Sequence, residues 1–503
     1  MSKLRSAALW TALLAIFLKL SGFIREAVIA REFGASSATD AYVLSFGFIT
    51  LAITLTASGF NNVFLPLYVK ERQKGEGASD ANANALLNGS IVLFIVLSII
   101  GVLFTETIVG LLFGPMIGDT KVLTIDITRV FFTMLTFVGL SAILDSYLQS
   151  RRIFVPSQFA KLSATLSAAI AALLFSDTYG IFSVVYGFGF GTIVGVVIQL
   201  YYLMRSNYEW RLQFKLTPDF KKTFFLLLIP ALLHSAVGQI NLFVDRSFAS
   251  NTVDAAATYL NNASLIASIP HAIFATTIVA IIFTLLSEQH DNIEQFRKIV
   301  FKGLQISALT LLPIAVGLLV LGESFISFVY ERGKFTAEDT HRTYIVLLLY
   351  LPFVIFQGFQ FILAKTIFTM QKTKLIFRVS MTTIVINWTL NYFLVDRFSY
   401  PALAVSTSIV TLYLFTMSLF IVYREIGFSE LTRFFKMLAF AIPPAAVMGG
   451  VLYICMEWTF LGSLTPLVQL VLLIPLGVIV YVASLYVVYR QGFRDVMHLL
   501  RRA

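Results

Sequence analysis

Apolar stretches of about twenty residues recur along the chain, centred near Ile16, Ala52, Leu97, Leu135, Ala168, Val194, Leu232, Ala275, Ala315, Phe356, Ile384, Leu412, Val447 and Leu476. Each is long enough as a helix to cross about 30 Å of hydrocarbon. Short polar loops separate them, so the pattern predicts an all-α polytopic membrane protein of about fourteen spans with almost no soluble remainder. The loop charges give the spans a direction. One set of alternate loops gathers Lys70, Arg72, Lys74, Arg151, Arg152, Arg211, Lys215, Arg297, Lys298, Arg490, Arg501 and Arg502. The other set holds only Arg25, Arg31, Lys121, Arg332, Lys334, Arg342 and Arg397. A missed span would invert this bias downstream of it, so the split supports the count and predicts that both termini are cytoplasmic. The basic N-terminal residues lead into the first apolar stretch with no small-residue cleavage site, and that helix is expected to be retained.

Composition agrees with lipid as the main solvent. The 503 residues are 58% hydrophobic and 13% charged, too little polar surface to coat soluble globules of this size. A single cysteine, Cys455, excludes a disulfide framework or a cysteine metal cluster. The net charge of +10 is scattered among loops rather than gathered in an aromatic-laced patch, which argues against nucleic acid.

The chain also echoes itself. The first span ends in Arg25-Glu26, then Ala30 and Asp40-Ala41; the seventh ends in Asp245-Arg246, then Ala249 and Asp254-Ala255. Leu148-Gln149-Ser150-Arg151-Arg152 after the fourth span parallels Met370-Gln371-Lys372-Thr373-Lys374 after the tenth. Six spans separate each pair, so the copies share one orientation and would be related by a pseudo-two-fold axis along the membrane normal. The expected organisation is an N-terminal lobe over 1–205, a C-terminal lobe over 206–425, and two extra helices with a tail over 426–503. Two related lobes suit alternating access.

Five basic residues fall within spans: Lys19, Arg129, Lys161, Arg246 and Lys365. Each costs roughly 2.5–3.5 kcal/mol at a span's centre, so it should be paired, snorkelling or facing a wet cavity. Arg129 and Arg246 have Asp126 and Asp245 as local partners, and Lys161 and Lys365 are placed to snorkel. Lys19 has no such explanation. A cationic cavity suits an anionic cargo, and arginine and lysine hold a diphosphate well. On the seventh span Gln239, Asn241 and Asp245 collect, while Asn387 and Asn391 share a face of the eleventh. These oxygen donors fit either a hard monovalent cation such as Na⁺ or interhelical hydrogen bonds. No P-loop, paired carboxylates at a loop mouth or nucleophile motif is present, which points away from an enzyme. The most distinctive loop, Tyr330 to Thr340, reads as a glycine turn at Gly333 followed by a helix capped by Thr336.

That loop resembles the R-G-x-F-T-x-x-D-T signature of the MurJ (MviN) family of lipid II flippases in the MOP exporter superfamily. The stretch from Lys19-Leu20-Ser21-Gly22-Phe23-Ile24-Arg25-Glu26 to Thr39-Asp40-Ala41 is similar to the family's entry motif, and Gln239-Ile240-Asn241 with Val244-Asp245-Arg246 to its seventh span. The resemblance implies a flippase moving an undecaprenyl-diphosphate-linked cell-envelope precursor across the bacterial inner membrane, with lipid II for peptidoglycan synthesis foremost. It implies a headgroup cavity including Lys19, Arg25, Glu26, Asp40, Asn261 and Asn262. It also implies a sodium site at Asp245, Asn387, Asn391 and Thr407, a lipid-tail groove beside the last two helices, no cofactor, drive by Na⁺ or membrane potential, and action as a monomer near cell-wall synthesis enzymes. Two departures matter: Ile49 to Phe60 lacks the family's arginines and glutamate, and Tyr259-Leu260-Asn261-Asn262 lacks its arginine. A flippase for another lipid-linked glycan, of O-antigen, teichuronic acid or exopolysaccharide type, is therefore the alternative. A cation-coupled multidrug exporter would want an acidic cavity, and a membrane glycosyltransferase a larger outer loop.

Overall fold

The computed structural model describes residues 2–73, 76–114, 116, 118–289, 292–458 and 460–494, so Lys74, Arg501 and Arg502 lie outside the described residues. Among these residues there are seventeen α-helices and no strand: α1 (Ser2–Phe33), α2 (Ser37–Gly59), α3 (Leu65–Arg72), α4 (Glu76–Leu103), α5 (Thr105–Phe113), α6 (Asp119–Ser150), α7 (Val155–Tyr179), α8 (Phe182–Met204), α9 (Pro218–Ala249), α10 (Ala256–Phe274), α11 (Ala280–Glu288), α12 (Ile293–Tyr330), α13 (Ala337–Thr369), α14 (Thr373–Phe398), α15 (Pro401–Ile426), α16 (Ser429–Trp458) and α17 (Pro466–Val488). Helix is the form that satisfies every backbone group within one segment where no water is available. All fourteen predicted span centres fall in helical segments. Eleven of the described helices meet strict length and apolarity requirements for crossing a membrane. The remaining centres, Ile16, Ala275 and Ile384, lie on α1, on the segment from α10 to α11, and on α14.

Two helices continue through a π-helical turn: Phe60–Phe64 joins α2 to α3, and Ala275–Val279 joins α10 to α11. Such turns insert a residue into the ladder and re-aim the face that follows. The two halves share other backbone marks as well. After α6 the chain turns through Arg152 (φ +60°), with the Ile153 N–H donating to the Leu148 carbonyl. After α13 it turns through Gln371 (φ +58°), with the Lys372 N–H donating to the Ile367 carbonyl. Gly180 (φ +54°) opens the turn into α8, and Ser399 (φ +56°) the turn into α15. The interval from Arg152 to Gln371 equals that from Gly180 to Ser399, so the internal echo has a structural register. Arg152 corresponds to Gln371, which displaces the sequence match of Gln149 with Gln371 by about one helical turn.

Contacts divide the chain into two compact units: Met1–Thr258 with Arg332–Phe335, and Tyr259–Glu331 with Thr336–Ala503. In the first, α7 and α8 approach closely. Gly187, Gly191 and Gly195 face Ala171, Ser163, Ala164 and Ala160, and a Cβ at Gly191 would collide with the Ser163 carbonyl. Small residues let helices meet at backbone distance where lipid supplies no hydrophobic drive. In the second unit a core of Phe359, Phe415 and Phe434 joins α13, α15 and α16, extended by Leu452, Leu473 and Leu485 on α16 and α17.

Where the first unit's chain leaves the helical form, side chains serve the backbone. The extended segment 207–217 runs along α4. Asn84 Nδ2 donates to the Glu209 carbonyl and Asn88 Nδ2 to those of Arg211 and Gln213, each at 2.9 Å; Asn82 Oδ1 accepts from the Thr217 N–H, also at 2.9 Å. Tyr208 donates to Asn84 Oδ1 at 2.7 Å, and Trp210 to Asn88 Oδ1 at 3.0 Å. Burial pushes the Tyr208 hydroxyl well above its ordinary pKa, which keeps it protonated as a donor.

Because the atom facing Gly191 is backbone and cannot swing aside, Gly191→Ala should cost about 1–3 kcal/mol. The measurement is the melting temperature of the detergent-solubilised protein. Gly89→Ala, with nothing within 4 Å of the added carbon, should leave it unchanged.

Candidate functional site

The polar centre of the first unit is built where α1, α2 and α9 come together. Arg25 and Glu26 are successive residues of α1, and Arg25 donates to Glu26 Oε1 from Nε at 3.2 Å and from Nη2 at 2.5 Å. Their side chains are only 12% and 7% exposed. The Arg25 guanidinium lies 4.8 Å from the centroid of Phe46, whose ring stacks on Tyr42. Glu26 also acts electrostatically on Arg246 of α9, and Arg25 on Tyr42.

Arg246 is admitted by a missing side chain. Its Nη1 occupies the place where a Cβ on Gly47 would stand, with the Phe243 ring beside it. This buried Nη1 has no hydrogen-bond acceptor among the described residues, and neither has the hydroxyl of Tyr42, which is 1% exposed. Tyr42 and Arg246 thus each keep a buried donor without an acceptor among the described residues, and leaving such a group unsatisfied costs about 1–3 kcal/mol.

Other residues named from sequence fall elsewhere. Lys19 is exposed on α1, and among the described residues no contact joins it to the cluster. Asp40 is buried and accepts from the Thr258 N–H at 2.8 Å and its Oγ1 at 2.6 Å, a cap on the first turn of α10. Asn261 and the buried Asn262 lie on α10 in the second unit. Asp245 belongs to the first unit, whereas Asn387, Asn391 and Thr407 belong to the second. Asn387 and Asn391 are 2% and 0% exposed, and Thr407 Oγ1 donates to the Leu403 carbonyl at 3.0 Å. Neutral oxygens of this kind fit a monovalent cation. Among the described residues there is no cluster of three or more His, Cys, Asp or Glu for a multivalent metal.

The remaining intramembrane cations are accounted for locally. Arg129 pairs with Asp126 at 3.2 Å, as expected. Lys161, expected to snorkel, donates to the buried Asp145 at 2.6 Å while its own side chain stays 43% exposed. Lys365 stands 4.8 Å from the Phe283 ring, a cation–π contact. Sequence reasoning missed Asp145 because sixteen positions separate it from its partner across a loop.

The glycine-turn loop has a clear mechanical part. In the first unit the Lys334 N–H donates to the Arg31 carbonyl at 2.9 Å, Gly333 (φ +62°) lies against the backbone of Arg31, and Phe335 is buried. In the second unit Thr336 caps α13 as predicted: its Oγ1 accepts from the Asp339 N–H at 3.3 Å, while Asp339 Oδ2 accepts from the Thr336 N–H at 2.9 Å. Asp339 Oδ1 also accepts from Tyr259 at 2.8 Å. An apolar groove of about 300 Å³ in this unit is lined by α12, α16 and α17, including Pro313, Leu318, Leu452, Ile474 and Tyr481.

Comparison with known proteins gives consistent matches. The family model described as lipid II flippase MurJ matches residues 29–473. A probable lipid II flippase MurJ of Thermotoga maritima is 25% identical over 472 residues, 93% of each chain. The lipid II flippase MurJ of Burkholderia cenocepacia is 23% identical over 500 residues, 95% of each chain. Among solved structures, a lipid II flippase MurJ in an inward closed conformation superposes with a TM-score of 0.82 at 24% identity, covering 95% of this chain and 98% of that one. A multidrug-resistance MATE transporter of the MOP superfamily gives 0.71 at 10% identity, over 82% and 94%.

Gly333→Ala should cost about 1–3 kcal/mol, since it adds left-handed strain to a backbone collision. Thr336→Ala should cost about 1 kcal/mol through the lost cap. Thermal unfolding of the two variants beside the parent checks both the size and the order of these effects.

Proposed function

Since the chain belongs to the lipid II flippase MurJ family, we propose that it moves an undecaprenyl-diphosphate-linked precursor, lipid II, from the inner to the outer leaflet of a bacterial cytoplasmic membrane, with both termini in the cytoplasm. It is a transporter and not an enzyme. The observation that carries the substrate class is the pair of buried donors, Tyr42 hydroxyl and Arg246 Nη1, both within electrostatic reach of Glu26, which holds Arg25. In this reading the diphosphate accepts from Arg25, Arg246 and Tyr42, and Glu26 holds Arg25 in place until cargo arrives. Charged hydrogen bonds in a desolvated site are the strong ones, and two forked guanidiniums match the oxygens of a diphosphate.

Arg246 then supplies the positive charge that α2 and α10 lack. Lys19, exposed earlier on α1, is a candidate for first capture of the headgroup, and Asn261 and Asn262 for contacts to its sugars. Asp40 is given a structural part. The apolar groove lined by α12, α16 and α17 would take part of a polyprenyl tail. The moving bodies would be the lobes 1–205 and 206–425, with 426–503 as the added helices, working as a monomer by alternating access.

For drive, Asp245, Asn387, Asn391 and Thr407 offer oxygens suited to Na⁺, and moving one charge through 100 mV is worth about 2.3 kcal/mol. Asp245→Ala should weaken the ion dependence of transport in reconstituted vesicles; unchanged dependence counts against that residue as a ligand.

Depleting the protein and weighing undecaprenyl-linked intermediates by mass spectrometry should show lipid II accumulating. If lipid II stays level while another lipid-linked glycan rises, the cargo is that glycan. In vesicles, Arg25→Ala and Arg246→Ala should each slow transport about tenfold or more. Gly47→Ala should slow it through displacement of the Arg246 head, with melting little changed because a flexible tip can give way. Full transport by Arg246→Ala overturns the assignment of that residue.

A further inference from the structure

The chain between α8 and α9 carries an exposed apolar row that the transport site does not use. Both helices are long and apolar enough to cross a membrane, so residues 205–217 join two helix ends on one side of it. Within this stretch Trp210, Leu212 and Phe214 alternate with Arg211, Gln213 and Lys215. The three apolar side chains are 58%, 72% and 55% exposed. Alternate residues of an extended segment point the same way, so the three form one row. An exposed apolar patch rimmed by polar residues marks an interaction surface.

The row is held ready from behind. Asn84 and Asn88 of α4 hold the carbonyls of Glu209, Arg211 and Gln213, and Asn82 holds the N–H of Thr217. Trp210 Nε1 donates to Asn88 Oδ1 at 3.0 Å, which satisfies the indole's one polar atom within the protein and leaves the hydrocarbon of the ring to the outside. A row fixed in this way gives up little freedom when it binds.

Charge and position indicate the partner. Residues 205–222 contain Arg205, Arg211, Lys215, Lys221 and Lys222 against two acids, Glu209 and Asp219, and Glu209 pairs with Arg211 at 2.7 Å. Lys215, Lys221 and Lys222 are exposed beside the apolar row. Exposed apolar surface continues from the row onto both helices, at Met204 of α8 and at Phe225 and Leu226 of α9. Aromatic side chains next to lysines at the ends of spans match the two layers of a membrane surface, hydrocarbon and anionic headgroups. We propose that segment 207–217 is an interfacial strap. Trp210, Leu212 and Phe214 enter the leaflet at the ends of α8 and α9, while Lys215, Lys221 and Lys222 bind the headgroups of its anionic lipids. The strap is independent of which cargo the protein carries.

The test is a depth measurement by electron paramagnetic resonance on the full chain carrying Cys455→Ser and a nitroxide on Leu212→Cys. The protein is reconstituted in vesicles of phosphatidylcholine, alone or mixed with phosphatidylglycerol. Collisions of the label with oxygen, which concentrates in hydrocarbon, are compared with those of a neutral nickel chelate, which stays in water. Oxygen collisions should exceed nickel collisions in the mixed vesicles, and the excess should shrink in phosphatidylcholine alone. Lys215→Gln/Lys221→Gln/Lys222→Gln should lose the part that depends on phosphatidylglycerol, at unchanged helix content. Dominant nickel collisions in both kinds of vesicle would place the row in water and overturn the proposal. An excess that is equal in both, and untouched by the triple variant, would leave the anionic lipid no part and overturn it as well. Shielding that rises with the protein-to-lipid ratio would identify a second copy of the chain as the occupant, against the strap.

Discussion

Hydrocarbon accepts no hydrogen bonds, and that constraint organises both what this chain does with its backbone and where it spends its polar side chains. Helices satisfy the backbone over the spans, and each exception has a dedicated partner. The extended segment 207–217 borrows Asn82, Asn84 and Asn88, and the turn at Gly333 borrows the Arg31 carbonyl. The same constraint makes cations within the spans conspicuous. Arg129, Lys161 and Lys365 are answered by Asp126, Asp145 and Phe283. Against that background, the Tyr42 hydroxyl and Arg246 Nη1 stand out as buried donors without an acceptor among the described residues.

The spans were legible because a twenty-residue apolar run has few other uses, and all fourteen centres lie in helix. Capping at Thr336 was legible too, since the cap and its partner Asp339 are three residues apart. What stayed hidden were pairings across long sequence separations. Nothing in the local pattern tells that Asp40 serves Thr258, that α4's asparagines serve a later segment, or that Gly333 lies on Arg31. Helix ends were harder again: Gln149 and Gln371 match as letters, yet the left-handed residues Arg152 and Gln371 match as geometry.

The arginines missing from the second and eighth spans invite the conclusion that the site has lost its charge. The structure shows what remains there: Gly47 on α2 is small, so α9 can lay Arg246 across it, within electrostatic reach of Glu26 on α1.

The π-helical turns set a limit on that register. From Phe60–Phe64 to Ala275–Val279 the interval is shorter, by about one helical turn, than from Arg152 to Gln371. A single offset therefore does not carry every backbone mark of one half onto the other, and a residue-by-residue pairing of the two halves has to change step between the wound turn and the left-handed one.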